Sequence, residues 1–159
     1  MSIALIPGSF DPVTNGHLDI VDRTARKFDN VLVAVATNPR KSSALFTVEE
    51  RVAMLREVTT GFPTVRVKSF TGLLADFAVE HAVTAIVKGL RAVSDFDYEL
   101  QMAQLNLRLS GVDTLFMPTA PEHSFLSATL VREVASYGGD VSSMVPAVVA
   151  QRLKERFAQ

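Results

Sequence analysis

The residues with the clearest potential for chemistry lie in the segment 7–17, Pro-Gly-Ser-Phe-Asp-Pro-Val-Thr-Asn-Gly-His, which follows a short apolar run. Gly8 and Gly16 carry no side chain, so the backbone can approach a ligand closely at both positions. The amphipathic stretch that follows predicts a helix, whose start offers free N–H groups and a positive dipole end to phosphate oxygens. His17 would lie near that end and could donate a hydrogen bond to the same anion. A lone histidine is more often structural, so the Gly-bearing loop as a whole carries the prediction of a phosphate site.

A second candidate phosphate site lies at 126–132, Leu-Ser-Ala-Thr-Leu-Val-Arg. Ser127 and Thr129 place two hydroxyls at a predicted helix start, and Arg132 adds positive charge one turn further on. An ordinary Ser/Thr cap followed by a surface arginine is equally compatible with this segment alone. Two phosphate sites in one small domain would suit a triphosphate better than a single phosphate.

Between these two segments, Lys88 and Arg91 flank Gly89 at the end of a predicted strand. The glycine allows close backbone approach to a ligand, and the two cations would offset its negative charge. A solvated basic loop is the alternative interpretation of this stretch.

The elements that must position these segments alternate between strand and helix. Alternation of this kind predicts an α/β fold: a single doubly wound, Rossmann-like domain over 1–159, with a five-stranded parallel sheet and helices on both faces. In such sheets ligands bind beyond the carboxyl ends of the strands, where all three segments lie. The predicted strands are 3–6, 31–36, 64–67, 84–87 and 114–117.

Helix signals complete this pattern. Thr47 and Glu50 form a capping box at the start of the second helix. Gly138 and Gly139 suit a left-handed cap after a helix over 129–137, and Pro146 suits the first turn of the last helix. The first helix carries an apolar face at 18, 21, 25 and 28, the third begins near 74, and a long helix is predicted over 94–109.

The composition excludes several classes of protein. Sixteen basic against 17 acidic side chains give a net charge of -1, which argues against a nucleic-acid binder. No apolar stretch approaches the roughly 20 residues that span a bilayer, and the start of the chain predicts a first strand rather than a signal peptide, so we expect no membrane association. The chain has no cysteine, which is compatible with the cytoplasmic location that we expect.

A dedicated metal site is not expected either. The three histidines, His17, His81 and His123, have no ligand-like spacing, and the carboxylates form no dense cluster in the sequence.

The phosphate segments resemble the signatures of the nucleotidyltransferase superfamily. Residues 14–17, Thr-Asn-Gly-His, match its T-x-G-H element, and 126–132 match I-S-x-T-x-x-R with Leu126 in place of isoleucine. The run K-G-L-R-x-x-x-D-F-x-Y-E at 88–99, P-G-S-F-D-P-x-T-x-G-H at 7–17 and F-T-x-E-E-R at 46–51 narrow the resemblance to the bacterial phosphopantetheine adenylyltransferase family. Agreement runs nearly from end to end of the chain.

The resemblance implies transfer of AMP from ATP to 4'-phosphopantetheine, giving dephospho-CoA and pyrophosphate in coenzyme A biosynthesis. It implies direct in-line attack without a covalent intermediate, with Mg²⁺ arriving on the ATP. It also implies a homohexamer built as a dimer of trimers, and inhibition by coenzyme A.

The resemblance also implies a site. Its catalytic residues would be His17, Lys41, Lys88 and Arg91, with Arg132 adding charge compensation. The acceptor would be held by Ser9, Lys41, Leu74, Lys88 and Asn106. The ATP would be held by Ser9, Phe10, His17, Gly89, Leu90, Arg91, Glu99, His123, Ser124, Phe125, Leu126, Ser127, Ala128 and Thr129. Position 88 is Lys where many relatives carry Arg, which keeps the charge and loses the bidentate fork. His123 stands where relatives usually have Trp or Tyr.

Two alternatives stay open from the sequence. A sister nucleotidyltransferase acting on nicotinamide mononucleotide, or with CTP on a phosphorylated alcohol, is disfavoured by the K-G-L-R segment. A non-catalytic nucleotide-binding or regulatory module is disfavoured by His17 together with the four placed cations.

Overall fold

The computed structural model describes residues 1–40, 43–92 and 96–158. Five strands, each close to its predicted position, form one sheet in which every neighbouring pair is parallel. The strand order is β3-β2-β1-β4-β5, which confirms the doubly wound α/β fold. The strands are β1 (Ile3–Gly8), β2 (Asn30–Thr37), β3 (Val65–Thr71), β4 (Ala85–Leu90) and β5 (Asp113–Pro118).

Helices follow the strands in the predicted alternation. They are α1 (Asn15–Ala25), α2 (Val48–Val58), α3 (Leu74–Glu80), α4 (Phe96–Ser110), α5 (Ala128–Ser136) and α6 (Ala147–Phe157), with a short 3-10 helix at Pro121–His123. No helix in the described ranges is long and apolar enough to cross a membrane.

The central strands β1 and β2 are buried on both faces of the sheet, as their consecutive buried side chains show. In β1, Ala4 and Ile6 join a hydrophobic cluster with residues of α1, α2, α5 and α6. Leu5 points to the other face and packs with Phe77 of α3 and Ile86 of β4. α4 lies against α3 and β5. Because both faces of β1 are covered, a ligand can reach the polar groups of this strand only at its carboxyl end.

The chain reverses its direction across the sheet between β1 and β4. From β1 it proceeds to β2 and β3 on one side, and then returns to β4 and β5 on the other. The connections that leave the carboxyl ends of β1 and β4 therefore diverge and open a crevice between them. β1 ends at Gly8 and β4 at Leu90, which places the first loop and the Lys88-Gly89 segment on the two sides of this crevice.

Most helix ends follow the sequence signals. Thr47 Oγ1 accepts the Glu50 N–H at 3.1 Å, while the Glu50 carboxylate accepts the Thr47 N–H at 2.8 Å. Gly138 follows α5 with a φ of 74°, as the left-handed cap predicts. Pro146 is the residue before α6 rather than part of its first turn. The predicted start of α4 at 94 lies outside the described residues, which resume in this helix at Phe96.

Candidate active site

A cavity of about 350 Å³ occupies the crevice at the carboxyl ends of β1 and β4. Gly16 and His17 line it from the start of α1, and Ser127 and Arg132 line it from α5. The two candidate phosphate segments, more than a hundred positions apart in sequence, therefore face one shared space. This is the arrangement that a bound triphosphate requires.

The start of α1 is organised by a reciprocal cap that contains the histidine. Thr14 is the N-cap, and its Oγ1 accepts the His17 N–H at 3.3 Å. His17 Nδ1 accepts the Thr14 N–H at 2.9 Å, a role that Glu or Gln usually fills in a capping box. The helix begins at Asn15, whose N–H donates to the carbonyl of Met144 at 2.9 Å. The N–H groups of Asn15 and His17 are thus engaged, whereas no hydrogen bond in the described residues engages the Gly16 N–H. The Gly16 N–H can therefore bind a ligand.

The surroundings of His17 set both the tautomer and the charge of its imidazole. Because Nδ1 accepts a backbone N–H, the neutral ring carries its proton on Nε2. Desolvation, together with the positive charges of Arg91 and Lys88, lowers the pKa of His17 from 6.5 to about 4. At neutral pH the ring is therefore uncharged and offers an Nε2–H donor.

At the start of α5, the second candidate phosphate site, two adjacent N–H groups face the cavity. Ser127 caps the helix by accepting the Leu130 N–H on its Oγ at 3.0 Å, and its carbonyl accepts the Val131 N–H. Ala128 and Thr129 line the cavity, and no hydrogen bond in the described residues engages their N–H groups. Two adjacent N–H groups at a helix start form a favourable site for phosphate oxygens.

Arg132 joins the two phosphate segments. Its Nη1 donates to the Asp11 carbonyl at 2.6 Å, and its Nη2 donates to Thr129 Oγ1 at 3.3 Å. Nη1 also lies 3.7 Å from the Asp11 carboxylate. Across the cavity, Arg91 Nη1 donates to the Leu126 carbonyl at 3.1 Å. Both guanidinium groups therefore hold the walls of the site together while placing positive charge at its edge.

Lys88 lies between this cavity and a smaller one of about 140 Å³. Leu74 and Asn106, two residues that the resemblance assigns to the acceptor, line the smaller cavity. Glu99 lines it too, and its carboxylate lies 3.5 Å from Lys88 Nζ. The resemblance assigns Glu99 to the nucleotide; in the structure it is the ion-pair partner of Lys88 and lines the smaller cavity.

The remaining predicted residues divide into three groups. Those that line the larger cavity are Ser9, Phe10, Gly89, His123, Leu126, Ser127, Ala128 and Thr129. Leu90, Ser124 and Phe125 do not line it; the Leu90 carbonyl accepts the Thr119 N–H at 2.8 Å, and the Phe125 side chain is exposed. Lys41 lies outside the described residues.

Sequence reasoning missed Asp11, which lines the cavity, and Arg51, which supports the first loop from outside the cavity. Both are buried. The Asp11 carboxylate accepts the N–H groups of Leu45 and Phe46 at 2.9 Å each. Arg51 donates to the Ser9 carbonyl at 2.9 Å. Both residues belong to the segments that carried the resemblance, and this was the only signal that could have marked them.

Comparisons with known proteins identify the family of this chain. Residues 5–134 match the cytidylyltransferase-like family model. The phosphopantetheine adenylyltransferase of Streptomyces coelicolor is 58% identical over 157 residues, covering 99% of this chain and 98% of the relative. That of Thermobifida fusca is 55% identical over 159 residues, covering 100% of this chain and 96% of the relative.

A solved structure from Vibrio parahaemolyticus, described as a candidate nicotinate-nucleotide adenylyltransferase, shares the fold. The TM-score is 0.70 at 17% identity, with 99% of this chain and 95% of that chain covered. This structural likeness supports the fold alone, whereas the near-identical lengths and high identity of the two relatives establish the family. The chain belongs to the cytidylyltransferase-like nucleotidyltransferases and, within them, to the phosphopantetheine adenylyltransferase family.

Proposed function

We propose that this chain transfers AMP from ATP to 4'-phosphopantetheine, forming dephospho-CoA and pyrophosphate in coenzyme A biosynthesis. The observation that carries the proposal is the meeting of two helix starts and a neutral histidine in one cavity, with Lys88 between it and a second cavity. A triphosphate and a phosphorylated acceptor can then approach each other from the two sides of Lys88.

The reaction joins two anions, so alignment and charge compensation are the main tasks of the protein. An oxygen of the acceptor phosphate attacks the α-phosphorus of ATP. The bond from that phosphorus to the bridging oxygen breaks, and pyrophosphate leaves with the electron pair. The acceptor phosphate is already ionised near neutral pH, and for that reason the step needs no strong general base. Direct attack leaves no covalent intermediate on the protein.

His17 acts in this step as a hydrogen-bond donor. Its Nε2–H strengthens its bond to the α-phosphate as negative charge accumulates there in the transition state. The N–H groups of Ala128 and Thr129 hold the leaving phosphates, and Arg91 and Arg132 supply positive charge at the edge of the cavity. A neutral donor suits this role, because its proton is held on Nε2 by the backbone contact at Nδ1.

The acceptor occupies the smaller cavity in this proposal. Leu74 and Asn106 contact its arm, and Lys88 binds its phosphate after leaving Glu99. We include Lys41 among the acceptor ligands on the strength of the family motif alone.

Mg²⁺ fits this site as an ion that arrives on the triphosphate. The described residues contain no group of three or more histidine or carboxylate side chains that could hold a metal ion by themselves. The Asp11 carboxylate, which lines the cavity, already accepts two N–H groups. When bound, the ion neutralises phosphate charge, and a hydrated ion of this kind is commonly held through phosphates.

We propose, from the family, a homohexamer built as two trimers and inhibition by coenzyme A. Exposed leucines on α4 and β5 are compatible with such an assembly; they are Leu100, Leu105, Leu107, Leu109 and Leu115. Light scattering would measure the size, and a hexamer mass supports the proposal while a monomer mass overturns it. Inhibition is tested by adding coenzyme A to the assay for pyrophosphate release.

A substrate panel tests the proposed reaction. The protein is mixed with ATP, Mg²⁺ and either 4'-phosphopantetheine or nicotinamide mononucleotide, and with CTP in place of ATP in a third arm. Pyrophosphate is measured and the products are identified by mass. We expect dephospho-CoA in the first arm and no turnover in the others. Turnover only with nicotinamide mononucleotide or CTP indicates a sister enzyme, and ATP binding in calorimetry without any pyrophosphate indicates a non-catalytic module.

A further inference from the structure

Phe10 has a backbone conformation that aromatic residues rarely adopt. Its φ is 49°, in the left-handed region, and its side chain is 3% exposed. A non-glycine residue stays in this region only where its surroundings hold it there. Here the surroundings are identifiable: Arg51 holds the carbonyl before it, on Ser9, and the N–H groups of Leu45 and Phe46 hold the carboxylate after it, on Asp11.

The left-handed backbone places the Phe10 ring against the imidazole of His17. The two ring centroids lie 4.9 Å apart with an interplanar angle of 67°, an edge-to-face contact. The ring also lies close to Gly8, where a Cβ would come within 3.0 Å of Phe10 Cε2 and 3.1 Å of Cζ. A side chain at position 8 would therefore crowd the Phe10 ring and displace it.

Two independent contacts therefore act on one imidazole. The Thr14 N–H anchors Nδ1, which sets the tautomer and fixes one atom of the ring. Thr14 Oγ1 lies 3.2 Å from the same nitrogen, but contacts to one atom still permit the ring to tilt about it, and the Phe10 edge-to-face contact opposes such a tilt. The position of Nε2, on the opposite side of the imidazole, depends on both contacts.

We propose that the Phe10 side chain is a positioning residue, which holds the His17 imidazole so that its Nε2–H points at the reacting phosphate. The inference rests on the proposed function and deepens it. This role differs from the ATP contact that the resemblance implies for Phe10, because the aromatic ring acts on the reaction through His17. The buried ring also keeps water from the imidazole, in agreement with the direction in which burial moves the pKa of His17.

Phe10→Leu tests this role with two measurements. Steady-state kinetics are expected to show a kcat lowered by about tenfold or more, with the KM for ATP changed by less than about threefold, because alignment matters most in the transition state. NMR titration without substrates is expected to show the pKa of His17 rising from about 4 to above about 5 as water reaches the ring. The titration would not respond to a role in stability alone.

Two further variants complete the test. Phe77→Leu is the matched control, because Phe77 is also buried and also contacts a histidine ring, that of His81 at 4.0 Å, on the opposite face of the sheet. It is expected to keep kcat within about twofold. Gly8→Ala pushes on the Phe10 ring, and its loss of kcat is expected to shrink in the Gly8→Ala, Phe10→Leu double variant, where the smaller side chain makes room.

The outcomes separate this inference from the proposed function. If the unaltered protein makes dephospho-CoA while Phe10→Leu keeps both its kcat and the His17 pKa, the inference is wrong and the function stands. Additive losses for Gly8→Ala and Phe10→Leu also overturn it. If the unaltered protein makes no dephospho-CoA, the function fails, and the titration still reports whether Phe10 shields His17.

Discussion

The lowered pKa of His17 predicts how the free energy of unfolding changes with pH. The perturbation is a fall in pH from 7 to 5, compared between the unaltered protein and His17→Gln. Glutamine is chosen because its side-chain oxygen can accept the Thr14 N–H and so preserve the capping box at the start of α1. The variant then differs mainly in having no titrating group at this position.

The sign and size of the change in stability follow from the difference between the pKa of His17 in the folded protein and in the unfolded chain. The folded protein holds the pKa of His17 near 4, whereas an exposed imidazole has a value of 6.5. As pH falls below 6.5, the unfolded chain binds the proton first, so the stability present at neutral pH is lost between 6.5 and 4. This group accounts for a loss of about 2 kcal/mol between pH 7 and pH 5, and about 3 kcal/mol by pH 4.

Urea unfolding at one fixed protein concentration provides the measurement. The free energy of unfolding is obtained for both proteins at pH 7, 6 and 5, where the other titrating groups contribute equally to both. The unaltered protein is expected to lose about 2 kcal/mol more than His17→Gln over this range. Parallel stability curves for the two proteins refute the reasoning, because they mean that the imidazole is not shielded in the folded state.

Three further predictions concern single side chains. His17→Ala is expected to keep the circular dichroism of the fold while turnover falls by at least roughly 10²-fold, and near-normal turnover contradicts its role as a transition-state donor. Lys88→Gln is expected to raise the KM for phosphopantetheine by about tenfold or more, since a charge-assisted bond is lost, and Lys88→Arg less so; equal effects in steady-state assays show that the charge is not what matters. Asp11→Asn is expected to lower the free energy of unfolding by about 1–3 kcal/mol, because the N–H group of Leu45 or of Phe46 loses its carboxylate acceptor; urea curves that coincide with the unaltered protein disprove that account.

Local signals in the sequence were sufficient to predict the strands and helices and most of the helix ends. The strands lie close to their predicted positions because parallel buried strands require short runs of β-branched and apolar residues. The Thr47 and Glu50 capping box and the Gly138 cap involve residues only a few positions apart, so the sequence displays both partners together. The two candidate phosphate segments could be proposed for the same reason, because each is a loop joined to a helix start.

Contacts between segments that are distant in sequence could not be predicted from local patterns. Arg132 was predicted to face a phosphate, but its bonds to Asp11 join positions 121 apart, and nothing in either segment indicates the other. Glu99 was assigned to the nucleotide by the resemblance, and its ion pair with Lys88 joins α4 to β4, which no local pattern in the sequence indicates. The use of His17 as a capping residue was missed because Glu and Gln are the usual residues at that position.

The stereochemical course at the α-phosphorus tests most directly the claim that one cavity aligns ATP and acceptor for a single displacement. The protein is supplied with ATP made chiral at that phosphorus by isotopic or sulfur substitution, together with phosphopantetheine and Mg²⁺, and the configuration of the dephospho-CoA is determined by phosphorus NMR. One direct in-line attack predicts inversion. Retention would contradict the account, because it requires two displacements and therefore a covalent intermediate on the protein.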